Sequence, residues 1–398
     1  MEIYVVRTGD NVDEIASQLG ADVQDIIFDN QLVYPYRLAV GQALVIRTGD
    51  GREREELQNK RRIDSGGYAY PFISPWVLDQ TLPHLTELSI FSYGFTQRGE
   101  LVPPFMDESW MISEADLYRV RPMLTLTPLG EDGHFNNILI TGLVNNMETQ
   151  ERLIWNLGLT VTEKGYSGVN VDFEYIQPED RDGFSAFVER LTRVMNQFGY
   201  RVSVALAPKT SRNQQGLLYE GIDYKALGEA ANEVFVMAYE WGYTYGPPMA
   251  VAPLNMVRRV LDYALTEIPA NKIILGMPNY GYDWPLPYER GTTKAKTMGN
   301  IEAVQLAIGY GVPIQFDETA QSPYFRYWQY GIQHEVWFED PRSVQAKLNL
   351  VKEYGLKGAG YWQLMQLFRA SWLLMEDQFI INKQPQRTNG ESYRSIDA

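Results

Sequence analysis

The chain has 398 residues, 45% of them hydrophobic and 13% aromatic, enough for a full-sized core and a smaller second unit. With 50 acidic residues against 35 basic the net charge is −15, which argues against a nucleic-acid or anionic-membrane partner and suits an uncharged polymer. There is no cysteine, which excludes disulfides and thiolate zinc sites, and His84, His134 and His334 form no paired-histidine motif, so neither metal nor cofactor is expected.

The opening MEIYVVRTGDNVDEIA lacks the basic start and apolar core of a signal peptide, and no stretch reaches the ~20 apolar residues of a membrane-spanning helix. IYVVRTGD reads as a strand ending in a turn. A helix follows with Val12, Ile15, Ala16 and Leu19 on one face, then a second helix, VQDIIFDN, and a closing strand, QALVIR, after the turn at Gly41. Along its whole length this segment resembles the LysM domain, through Tyr4-Val5-Val6, Thr8-Gly9-Asp10, Val12, Ile15-Ala16, Ile26, Asn30 and LAVGQALVI at 38–46. The resemblance implies a βααβ fold that binds N-acetylglucosamine polymers in a shallow groove. Gly9, Asp10, Asn11 and Val12 would form one lip, and LVYPYR, with Leu32, Tyr34, Pro35 and Tyr36, the other. Packing of Tyr34 and Tyr36 against the following linker is the competing role.

The run GDGREREELQNKRRIDSG holds almost no apolar residues and is read as a charged linker over 49–66, with an exposed helix as the alternative. Eight strand-like runs then alternate with amphipathic stretches: GYAYPFIS, ELSIFSYGF, VRPMLTLTPL, SGVNVDFEYI, YRVSVALAPK, EVFVMAYEWG, KIILGMPNYGY and KGAGYWQL. That order predicts an α/β fold, a (β/α)8 TIM barrel over 67–385, followed by a polar tail over 386–398. An α+β insertion is expected at 286–339, where a helix, GNIEAVQLAIGYG, precedes aromatic-rich strands.

GVNVDFEY, at 168–175, carries the chemistry. In a strand Val169, Val171 and Phe173 share one face, and Asn170, Asp172 and Glu174 the other, Asp172 and Glu174 standing ~6.6 Å apart along the backbone. The apolar face suits the helix-covered outside of a barrel, while the inner face opens at its C-terminal end into an active site. Two carboxylates without a local cation are too costly for a purely structural layer.

SGVNVDFE at 167–174 resembles the DGxDxDxE strand of glycoside hydrolase family 18, with serine and asparagine at the first two acidic positions. Met237-Ala238-Tyr239-Glu240 resembles the family's MxYD, GMPNYGYDW its seventh strand, and Tyr361-Trp362 the site of its floor tryptophan, whereas its third-strand SxGG is replaced by LTLTPLG. A LysM-bearing, spore cortex-lytic branch of the family shares that departure.

The resemblance implies substrate-assisted retention, in which the sugar's acetamido oxygen attacks the anomeric carbon and the enzyme supplies one acid. Glu174 would be that acid, Asp172 would orient the acetamido group, and Tyr239 would donate a hydrogen bond to its oxygen. Trp362 would support the ring, with Asn170, Met237, Glu240, Tyr280, Trp284 and Tyr93 as further substrate-binding candidates. Asparagine at 170 cannot share a proton with Asp172, so Asp172 is expected to stay ionised. The implied activity is cleavage of β-1,4 bonds after N-acetylglucosamine in spore cortex peptidoglycan, by a monomer associated with the spore coat and cortex or the cell wall. Chitinase is the alternative, and a non-catalytic glycan-binding coat protein a third reading.

Overall fold

The computed structural model describes residues 1–48 and 60–385. Most of the expected linker and the whole of the expected tail lie outside them. In the N-terminal module β1 (Glu2–Val5) pairs antiparallel with β2 (Ala43–Ile46), and α1 (Val12–Leu19) and α2 (Val23–Asp29) lie between them in sequence. Asn11 caps α1 by accepting from Glu14 N at 3.0 Å, and Asp22 caps α2 through Gln24 N at 2.7 Å. Buried Asn30 ties α2 to β2, donating to Ile26 O and Val45 O and accepting from Val45 N.

The barrel strands begin with β3 (Arg61–Ala69) and β4 (Glu87–Phe95); a short β5 (Leu101–Val102) precedes β6 (Arg121–Leu126). Then come β7 (Gly168–Val171), β8 (Arg201–Leu206), β9 (Glu233–Val236) and β10 (Ile273–Pro278). An inserted sheet follows: β11 (Gly281–Leu286), β12 (Lys296–Met298), β13 (Gln315–Asp317), β14 (Ser322–Gln329) and β15 (Ile332–Trp337). The last barrel strand is β16 (Gly358–Trp362), and β17 (Phe379–Ile381) flanks the start of β3. Strands β3, β4, β6, β7, β8, β9, β10 and β16 pair in parallel, each with the next, and β16 pairs back to β3, closing the expected eight-stranded barrel.

Around the barrel run α3 (Pro75–Thr81), α4 (Ser109–Leu117), α5 (Ile138–Val144), α6 (Met147–Lys164), α7 (Arg181–Gln197), α8 (Tyr224–Ala230) and α9 (Leu254–Glu267). Helix α10 (Asn300–Tyr310) belongs to the insertion, and α11 (Pro341–Glu353) and α12 (Arg369–Gln378) complete the shell. Val169, Val171 and Phe173 are buried on the outside of β7, where Phe173 stacks on Phe95, Phe184 and Phe187. No helix among the described residues is long and apolar enough to cross a membrane.

Two boundaries differ from the sequence reading. RRIDSG, read as linker, is the first part of β3: Asp64 pairs with Arg121 at 3.2 Å and Lys357 at 3.1 Å at the barrel's N-terminal end, so its charges are satisfied by neighbouring strands. The inserted sheet starts at Gly281 rather than 286, because Asn279 N donates to Trp362 O and its side chain to Gln363 O and Gln366 O, after which the chain leaves the barrel to pair β11 with β15.

The N-terminal module is docked on the barrel and insertion. Gln31 Nε2 donates to Leu367 O and Gln31 Oε1 accepts from Arg369 N; Ile314 N donates to Val40 O at 2.8 Å, and Arg342 to Gly41 O at 3.0 Å. Val45 packs into the barrel's core and Ala39 into that of the insertion.

Candidate active site

The C-terminal ends of the barrel strands open into a cleft of about 700 Å³ that contains Asp172, Glu174, Met237, Tyr239, Glu240 and Trp362. Asp172 N donates to Leu126 O at 2.9 Å, so the ladder continues one residue past β7 and holds the aspartate at the strand's end. Tyr175, at φ 53°, then turns the chain outward. Among the described residues no lysine or arginine lines the cleft.

Without a cation, burial dominates the titration. Burial, and then the charge of Glu174, push Asp172 up to about 8; burial, and then Glu240, raise Glu174 above the usual carboxylate range. Asp172 Oδ1 is buried without a hydrogen-bond partner. Asparagine at 170 removes one competitor for a proton, but burial works against the expected ionisation of Asp172, which the pair keeps only with its remaining proton on Glu174. As a pair, the two carboxyls retain a proton at neutral pH.

Tyr239 is 6% exposed and borders the carboxylates. Glu240, at φ 68°, accepts hydrogen bonds from the hydroxyls of Tyr280 and, at 2.9 Å, Tyr282. These donors favour its ionised form against the burial that raises it. The Trp362 ring packs within 5.5 Å of Tyr68 and 5.2 Å of Phe91.

Four expected substrate-binding residues stand elsewhere. Asn170 lies one layer below, donating to Ser203 Oγ at 2.8 Å. Tyr280 is buried and donates to Glu240 rather than lining the cleft itself. Trp284 is fully buried and donates to Gly246 O at 2.8 Å, because β11 belongs to the inserted sheet and not to the cleft wall. Tyr93 donates to buried Glu108 at 2.5 Å: the register of β4 shifts between Ile90 and Tyr93, so that Phe91 reaches the cleft and Tyr93 does not. In the N-terminal module Val12 and Leu32 belong to the core rather than to a groove lip, and the Asp10 carboxylate is taken up by Tyr4 and Arg7 N. Gly9, Asn11, Tyr34, Pro35 and Tyr36 remain accessible, Tyr34 at 81% exposure with Tyr36 edge-on to it.

The sequence profile of Glycosyl hydrolases family 18 matches residues 131–366, and that of the LysM domain residues 4–47. The chain belongs to glycoside hydrolase family 18. It is 37% identical to the cortical fragment-lytic enzyme of Bacillus subtilis (strain 168), covering 96% of this chain and 99% of that one. The crystal structure of the Bacillus cereus spore cortex-lytic enzyme SleL superposes with a TM-score of 0.90 at 34% identity, over 96% and 98% of the two chains. A chitinase from Chromobacterium violaceum gives 0.73 at 26% identity, over 79% and 98%.

As a family 18 glycoside hydrolase carrying a LysM domain, the chain is fitted to glycans that contain N-acetylglucosamine. The sequence reading missed the aromatic side chains Tyr68, Tyr70, Phe91, Phe135, Tyr219 and Tyr243, which also line the cleft. Tyr68, Tyr70 and Phe91 lie within stretches read as barrel strands, where period-2 facing could have found Tyr68 and Tyr70; Phe135, Tyr219 and Tyr243 arrive on loops, where no periodicity marks them.

Proposed function

We propose that the chain hydrolyses β-1,4 bonds after N-acetylglucosamine in spore cortex peptidoglycan by substrate-assisted retention, held to the glycan by its LysM module. The observation that carries the reading is the proton-retaining Asp172–Glu174 pair, set beside Tyr239 and Trp362 in a cleft without lining cations. Glu174 gives its proton to the glycosidic oxygen as the acetamido oxygen attacks the anomeric carbon. Asp172, accepting from the acetamido N–H, stabilises the positive oxazolinium ion, and the Tyr239 hydroxyl donates to the acetamido oxygen. Glu174, now ionised, takes a proton from the water that opens the ring and so returns to its acid form. Trp362 offers a flat apolar surface beneath the sugar. Cortex as the substrate is supported by two relatives of matching length, the B. subtilis cortical fragment-lytic enzyme and B. cereus SleL. Action on chitin is the second reading, favoured by the fold shared with the C. violaceum chitinase.

The test is mass spectrometry of reduced products from cortex fragments and chitin oligomers, for the protein and its Glu174→Gln variant. New N-acetylglucosamine ends from cortex, falling about 10²–10⁴-fold in the variant, are expected. Cleavage of chitin alone would transfer the activity to the second reading, and equal behaviour of the two proteins would remove Glu174 from the chemistry.

A further inference from the structure

Exposed planar side chains stand beyond the cleft. Tyr70 lines the cleft with its ring 6.1 Å from that of Trp362, and Phe72 stacks on Tyr70 at 5.0 Å and 22°. Phe72 is 61% exposed, and Trp76, four residues further on in the first turn of α3, is 57% exposed. The guanidinium of Arg369, fixed by Gln80 at 2.8 Å, lies 5.9 Å from the Trp76 ring and 3.9 Å from the ring of Phe28. Phe28 belongs to α2 of the LysM module and is 56% exposed. Because β3 and β16 are paired neighbours, the segments leaving their ends bring Phe72, Trp76 and Arg369 to one side of the barrel, and the docked LysM module adds Phe28 against Arg369.

Phe72, Trp76 and Phe28 are each left more than half in water, and exposed apolar surface continuous with a binding cleft marks an interaction site. Its chemistry selects the occupant. A pyranose offers an apolar face of C–H groups and a polar rim of hydroxyl and acetamido groups, so an open aromatic surface can take the first while water keeps the second. Continuity with the cleft through Tyr70 selects the strand whose bond lies at Glu174. We propose that Phe72, Trp76 and Phe28, with the guanidinium of Arg369, form a track for the arm of the substrate strand that leaves the cleft, so that barrel and LysM module grip one glycan rather than two. The inference rests on the glycan-hydrolase reading above and adds which surface the glycan follows.

The experiment compares the full chain with Phe72→Ala, Trp76→Ala and Phe28→Ala, using purified cortex glycan strands and a short N-acetylglucosamine oligosaccharide that fits within the cleft. Each site is exposed, so the variants keep the core. The expected result is a fall in the ratio of long-strand to short-oligosaccharide kcat/KM by about three- to ten-fold per ring, carried by KM. Long-strand binding, measured in a Glu174→Gln background, weakens in parallel. An unchanged ratio with unchanged binding overturns the track, and so does an equal loss on both substrates. A protein that cleaves neither substrate yet loses long-strand binding on these substitutions would sink the hydrolase reading and leave the track standing.

Discussion

At position 170 a single amide stands where the family pattern has an acid, and its consequence is electrostatic. Asp172 already sits near 8 through burial and through Glu174. In the proposed mechanism, loss of the pair's last proton removes the general acid on the alkaline side of the pH profile. In Asn170→Asp a third buried carboxyl disfavours ionisation of Asp172, so the alkaline limb of kcat/KM is expected to move to higher pH; a profile superimposable on that of the parent would show that position 170 has no electrostatic hold on the pair. Asp172 and Glu174 were legible in the sequence because alternation alone separates their face from Val169, Val171 and Phe173. Tyr93 was misplaced for the converse reason: a one-residue shift in β4 reverses the facing, and nothing in SIFSYGF announces it.

Among the elements, the inserted sheet has a bearing on the chemistry that its position in sequence hides. Its first strand, β11, supplies Tyr282, whose hydroxyl binds Glu240, and Glu240 in turn raises Glu174. Tyr282→Phe removes a donor that favours the ionised form of Glu240. Glu240 then spends more of its time neutral, Glu174 loses part of that upward push, and the alkaline limb is expected to shift to lower pH with kcat on the plateau little changed. An upward shift or none would break the chain of influence from insertion to acid. The eight barrel strands were legible as apolar runs, but the starts of β3 and of the insertion were not. In RRIDSG the charges read as solvated, because Arg121 and Lys357, the partners of Asp64, lie far along the sequence; in NYGYDW aromatic residues continue the strand-like pattern past β10 and conceal the change of sheet.

Across the whole molecule, the N-terminal module and the barrel meet through backbone as much as through side chains. Gly41 shows how close that meeting is: at φ 85°, a Cβ built on it would fall 1.9 Å from Ile314 O. Gly41→Ala combines that clash with left-handed strain and is expected to cost at least about 1–3 kcal/mol. Thermal unfolding should read the loss, and the short-oligosaccharide kcat should stay close to the parent value; an unaltered melting temperature would mean that the junction yields readily. The presence of both modules was legible from motifs, whereas their mutual orientation was not, since Gln31, Gly41 and Ile314 carry no sign in sequence of what they touch. Docking of this kind changes what a second binding site contributes. A module on a loose tether offers its partner a diffuse effective concentration and adapts to many ligand shapes. Here hydrogen bonds set the spacing between module and cleft, so on the proposed reading the molecule would act as a gauge: a strand of matching curvature would gain both contacts together, and one that bends the wrong way only the first.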